Sequence, residues 1–168
     1  DASGNIALNC TFTVTVNDNI APIVVCPSNV TLNTAQGLCT QTYIILDPLT
    51  DNCPGASWGA SFTGNNNGNP SNFSGIADGT NTAPITFQRG NTQVTLSAVD
   101  QSGNQATTCT FRVRVVDNEA PVIVCPANLT LNTAAGLCTA NYTIIDPISD
   151  NCSGATWNAT FSGNTNGN

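Results

Sequence analysis

The residues equipped for chemistry in this 168-residue chain are eight cysteines and a set of aspartates; histidine and lysine are absent and the only cations are three arginines. The cysteines are Cys10, Cys26, Cys39, Cys53, Cys109, Cys125, Cys138 and Cys152. None forms a CxxC pair and no histidine can complete a zinc site, so the expected chemistry is disulfide formation in an oxidising compartment. Asp18, Asn19, Asp47, Asp51 and Asp100 are the oxygen donors, joined later in the chain by Asp117, Asp146 and Asp150. Oxygen donors without imidazole or thiolate partners suit a hard divalent cation, calcium above all. Catalysis has little to draw on. No histidine or lysine can serve as a base, and no Gly-rich loop lies between a strand and a helix. Asp47 and Asp51 are four positions apart and fit a glycosidase carboxylate pair less well than a turn-capping or metal-binding role.

The spacing of these residues is a repeat. Residues 1–69 align with residues 100–168 without a gap at an offset of 99, and 44 of the 69 positions are identical. The cysteines therefore form one pattern of four, Cys10, Cys26, Cys39 and Cys53 falling on Cys109, Cys125, Cys138 and Cys152. Asp18, Asp47 and Asp51 fall likewise on Asp117, Asp146 and Asp150. A unit of this length is a domain rather than a solenoid turn. The expected organisation is a closing strand of one repeat over residues 1–19, a full repeat over 20–118 and the first half of another over 119–168. Both ends cut through a repeat, which is expected of an excerpt from a longer array.

Strict alternation predicts half-buried strands at "TFRVRV", where Phe111, Val113 and Val115 share a face, and at "TFTVTV", with Phe12, Val14 and Val16. In "SWGASF" and "TWNATF" the inward set is Trp58, Ala60 and Phe62, then Trp157, Ala159 and Phe161. Positions 57, 59 and 61 change between the copies, as solvent-facing residues do. Further strands are predicted at "NVTLNT", "TQTYIIL", "PITF" and "TQVTLSAV", and residues 63–82 as a long polar loop. The fold class is all-β: tandem immunoglobulin-like antiparallel β-sandwich domains stapled by disulfides. Trp58 is expected in the core rather than as a sugar platform. Pro22 and Pro121 stiffen the joints at "NDNIAP" and "VDNEAP". In such a sandwich Asp18 and Asn19 share a pole with Asp47, Asp51 and Asp100. Carboxylates gathered there without a lysine or arginine repel unless a cation sits among them. The alternative makes Asp18 and Asp100 turn-forming residues.

The "AP-x-x-x-CP" opening at residues 21–27, "DNC" at 51–53, "VTLSAVDQSGN" at 94–104 and "CTFRVRVVDNEAP" at 109–121 resemble the hyalin repeat, or HYR domain. The resemblance implies an immunoglobulin-like extracellular module of the kind strung in tandem in large bacterial surface proteins, including gliding and adhesion filaments of the Bacteroidetes. It also implies a Cys26–Cys109 disulfide, leaving Cys39 for Cys53, with Cys10 and Cys125 able to bond across the joint. The "NDNIAP" linker is similar to the Asp-Asn-rich linkers of cadherins, which bind calcium between domains.

The net charge of −7 provides no basic patch to displace phosphate counterions, which excludes a general nucleic-acid binder. No apolar run is long enough to insert directly into a membrane. The expected role is a structural repeat of an extracellular cell-surface filament or stalk. Its expected partners are neighbouring repeats of the same chain and self-association into a fibre. The alternative is an adhesive module that binds a surface polysaccharide or a protein directly.

Overall fold

The computed structural model describes residues 1–162; residues 163–168, the counterpart of 64–69, lie outside the described residues. The strands are β1 (Ile23–Val24), β2 (Val30–Asn33), β3 (Thr40–Tyr43), β4 (Leu49–Thr50), β5 (Ser57–Thr63), β6 (Phe73–Ala77), β7 (Ile85–Gln88), β8 (Gly90–Val99), β9 (Cys109–Val116), β10 (Val122–Ile123) and β11 (Ile148–Ser149). Alternation in the sequence becomes alternation in burial: Phe111, Val113 and Val115 of β9 face inward while Arg112 and Arg114 face solvent. β9 pairs antiparallel with β8, and β8 with β5, through registers such as Val94↔Phe111 and Phe62↔Val94. β2 lies parallel to β9, with Val30 opposite Val113, which completes a five-stranded sheet in the order β2-β9-β8-β5-β6.

The facing layer is made of two short pairs, β3 with β7 and β1 with β4. Between the layers lie Ile45, Leu49 and Phe87 on one side and Trp58, Phe62, Val94, Leu96 and Val113 on the other, all buried. Burying each such side chain stabilises by about 1.5–3 kcal/mol. Trp58 is 1% exposed, which makes it core and removes any use as a sugar platform. The chain is an all-β, immunoglobulin-like sandwich stapled by disulfides, and among the described residues no helix is long and apolar enough to cross a membrane.

Two strand expectations differ from the structure. Residues 63–82 are not one long loop, because β6 forms within them and pairs with β5. Its apolar residues explain why: Phe73 packs edge-on to Trp58 with ring centroids 5.9 Å apart, and Ile76 packs against the core. The predicted strands at "TFTVTV" and "TWNATF" do not form. Phe12 is 84% exposed where its counterpart Phe111 is 3% exposed. The same sequence has different neighbours: subtracting 99 from β8 places its counterpart before residue 1, and adding 99 places it beyond residue 168. Without that central strand neither segment has an edge to pair with.

Candidate functional site: the poles of the sandwich and the joint

At the N-terminal pole the chain brings three carboxylates together. One oxygen each of Asp18, Asp51 and Asp100 lies within 4.8 Å of the others. Asp100, at the end of β8, is 6% exposed and accepts from the Asn104 amide at 2.8 Å and the Asn104 side chain at 2.7 Å, which closes the turn into β9. Asn104 Nδ2 also donates to the Asp18 carbonyl, tying the linker to this turn. Asp18 accepts from the Ile20 amide at 3.0 Å. That hydrogen bond and then the Cys53 thiol hold its carboxyl below the ordinary value of 3.8, with Asn52 adding less and burial opposing. The Cys53 thiol is pushed up, first by its hydrogen bond to Asp18, then by burial and the negative charge of Asp18, Asp51 and Asp100. Both oxygens of Asp51 are buried without a hydrogen-bond partner. A carboxylate in that position is costly unless something positive meets it.

The remaining expected ligands do not join the cluster. Asp47 is held in its own turn, accepting from the Leu49 amide at 3.0 Å and the Gly79 amide at 2.6 Å. It caps the approach to β4 and has no free oxygen to turn toward the pole. Asp146 caps the Ile148 amide in the same manner. Asn19 is exposed on the rim. Asp117 and Asp150 reproduce Asp18 and Asp51 at the second joint. Asp117 accepts from the Glu119 amide and from Asn151, and one oxygen of Asp150 is again buried without a partner.

The disulfides follow the resemblance once and depart from it once. Cys26 is bonded to Cys109, tying the segment after β1 to the start of β9. Cys39 is bonded not to Cys53 but to Cys152, 113 residues away and in the following repeat. The reason is position. The turn over residues 34–39 lies at the end of β9, where the Thr34 amide donates to the Val116 carbonyl, and β3 carries the chain away to the opposite pole. Cys53 sits at that opposite pole beside Asp18, out of reach of Cys39. Cys10, Cys53, Cys125 and Cys138 are free thiols, so the expected Cys10–Cys125 link does not form within the chain.

The Cys39–Cys152 bond is the centre of a joint. The Gly37 amide donates to Glu119 at 2.7 Å, Asn151 donates to the Leu38 carbonyl at 2.9 Å, and Arg89 donates to the Ser153 carbonyl at 3.2 Å. Gly37 takes a φ of 71°, the left-handed conformation that lets the turn present its amide outward. Arg89, Asn104, Glu119 and Asn151 had no distinguishing spacing in the sequence. Nothing within the 99-residue unit marked the Cys39 partner, because its mate is the counterpart of Cys53 in the following unit.

Residues 74–115, which contain β7, β8 and most of β9, match the HYR domain. The chain is 28% identical over 158 residues to "Hyalin" of Strongylocentrotus purpuratus, an alignment that covers 92% of this chain and 12% of that protein. No solved structure matches. The chain thus spans a small part of the length of this curated relative.

Proposed function

We propose that this chain is a structural segment of an extracellular cell-surface filament or stalk, in which HYR-type repeats add length and mechanical strength. The observation that carries the reading is the Cys39–Cys152 disulfide, which joins one repeat to the next. A module that only presents a binding face has no need of a covalent tie to its neighbour. A load-bearing array does, because a joint that bends freely loses reach. Two disulfides support an oxidising, extracellular setting. The reading assigns no catalytic role, and the similarity to Hyalin supports it only as a likeness of sequence.

Calcium belongs to the same proposal as a second clamp at the joint. Asp18 comes from the linker, Asp51 and Asp100 from the domain it leads into, so a cation among them ties linker to domain. The unpartnered oxygens of Asp51 support this, and an all-oxygen, all-carboxylate set suits a hard cation. Small-angle scattering of a multi-repeat protein tests both parts. An extended rod is expected in the oxidised, calcium-loaded state, becoming shorter and more flexible on reduction and on addition of chelator. A profile indifferent to reduction would remove the mechanical reading; one indifferent to chelator would remove calcium alone.

A further inference from the structure

The outer face of the five-stranded sheet departs from the charge of the rest of the chain. Two of the three arginines, Arg112 and Arg114, stand on it, two residues apart on β9 and both exposed. The register sets Arg112 beside Gln93, and Arg114 between Asn91 and Thr31. With Asn33, Thr95 and Thr110 these are the outward side chains around the pair, and none is acidic, aromatic or large and apolar. The ten acidic residues of the chain all lie outside the strands. Neither guanidinium has an ion pair or a hydrogen bond among the described residues, unlike Arg89, which reaches the Ser153 carbonyl.

The repeat shows that the strand does not need this charge. At the offset of 99 the two positions are Thr13 and Thr15, "TFTVTV" against "TFRVRV". Threonine suits an exposed strand position at least as well as arginine. Both positions have thus become cationic together in one copy, in a chain whose net charge is −7.

Beside Arg112 the face is hollowed. A cleft of about 280 Å³ is lined by Asn29, Gln93, Thr110, Phe111 and Arg112. Asn29 is oriented by its Oδ1, which accepts from the Arg112 amide at 2.7 Å, so its Nδ2 is the end left free to donate. The Thr110 hydroxyl, the Gln93 amide and the Arg112 guanidinium add further donors. Donors gathered from the loop before β2, from β8 and from β9, with no carboxylate between them, make a cradle for an oxyanion.

We infer that this cleft and the Arg112–Arg114 strip form a binding site for a sparsely sulfated polysaccharide. A sulfate ester sits among Asn29, Gln93, Thr110 and Arg112, and Arg114, about 7 Å further along the strand, reaches a second substituent on the sugar chain. A sulfate ester offers its oxygens to several donors at once, whereas a carboxylate is filled by a single guanidinium fork. The surrounding threonines and asparagines meet sugar hydroxyls. The ligand's charge must be sparse, because Asp18, Asp51 and Asp100 at one joint and Asp117 and Asp150 at the other repel a dense polyanion. A protein partner is disfavoured by a surface without the aromatic or aliphatic anchor around which such interfaces close.

The inference goes beyond the stalk reading: a chain that binds no glycan would leave the rod standing, and a joint that bends freely would leave this site standing. The test uses the whole oxidised chain with its free thiols alkylated. The probes are κ-carrageenan oligosaccharides, with one sulfate ester per disaccharide, and the same oligosaccharides after desulfation. Calorimetric titration is expected to show binding to the sulfated sugar only, weakening as salt rises. Arg112→Thr with Arg114→Thr, which installs the residues of the other copy, should lower the affinity at least tenfold with the melting temperature unchanged. Asn29→Ala should lower it several-fold with every charge kept, while Arg89→Gln, which removes a cation at the joint, should leave it as it is. Absence of binding, an affinity unchanged in the arginine pair, or equal binding of the desulfated sugar would overturn the site. Tighter binding of alginate oligosaccharides or of a polyglutamate peptide would overturn it as well, since the face would then be one for carboxylates or for an acidic protein.

Discussion

Asp51 is the residue on which the chemistry of the pole turns. With both oxygens buried and unpartnered beside Asp18 and Asp100, its charge is unfavourable in the absence of a cation and favourable in its presence. Asp51→Asn is therefore expected to raise the melting temperature in chelator and to abolish the gain that calcium gives the parent chain. At calcium one hundred times its dissociation constant that gain is about 2.7 kcal/mol. Calorimetric scans of both proteins with and without calcium check it, and a parent chain blind to calcium would end the metal proposal. Asp18 has a depressed carboxyl, so its contribution to stability is present above its ordinary value of 3.8 and is lost as pH falls through the lower folded value. The thiol it touches moves the other way: Cys53 is raised, so its contribution is present below the ordinary thiol value of 9.0 and is lost as pH rises through the folded one. Replacing Asp18 by Asn removes the first cause of that rise, and alkylation of Cys53 by iodoacetamide at pH 8 should become faster than in the parent. The convergence of Asp18, Asp51 and Asp100 was legible from residue type and strand count. The absence of Asp47 was not, because its sequence neighbourhood looks the same whether its oxygens face the pole or cap the Leu49 and Gly79 amides.

At the scale of strands, alternation marked β8 and β9 with their faces correct, since a period of two admits only one burial pattern once a core is present; in β5 the inward Trp58, Ala60 and Phe62 are buried as expected, but Gly59, expected to face solvent, is buried as well. β6 escaped notice because only Phe73 and Ile76 in a run of Asn, Gly and Ser carry its apolar signal. Its pairing depends on a glycine in the neighbouring strand. A Cβ at Gly59 would lie 2.4 Å from the Phe73 carbonyl oxygen, so β6 approaches β5 at a distance that only glycine permits. Gly59→Ala should push β6 outward, loosen the Trp58–Phe73 contact and cost about 1–3 kcal/mol in urea unfolding. Hydrogen exchange should quicken at β6 before the rest of the sheet; uniform exchange across β5, β6 and β8 would contradict the close-approach account. The exposed segment around Phe12, Val14 and Val16 makes the complementary point: its sequence reads as well as that of β9, and what it lacks is the strand beside it.

At the scale of the molecule, the two disulfides govern how the chain responds to load. Cys26–Cys109 bridges 83 residues, which in the chain-entropy model stabilises by about 4–5 kcal/mol. It also takes those residues out of the path of a force applied at the ends of the sandwich. Single-molecule pulling should show short unfolding steps under oxidising conditions. Reduction should add roughly 290 Å per unit, the extended length of 83 residues at ~3.5 Å each. Equal steps in both states would remove this bond from the mechanics. The Cys39–Cys152 span of 113 residues exceeds the 99-residue period and overlaps the Cys26–Cys109 span. Every peptide bond from Pro27 to Asn151 is therefore enclosed by at least one of the two bridges. A protease that cuts once anywhere in that stretch leaves both fragments attached, and the damage shows only on a reducing gel. Because successive bridges of this kind would overlap along an array, a single nick would nowhere sever it: the chain has the redundancy of a laced seam rather than the weakness of a thread.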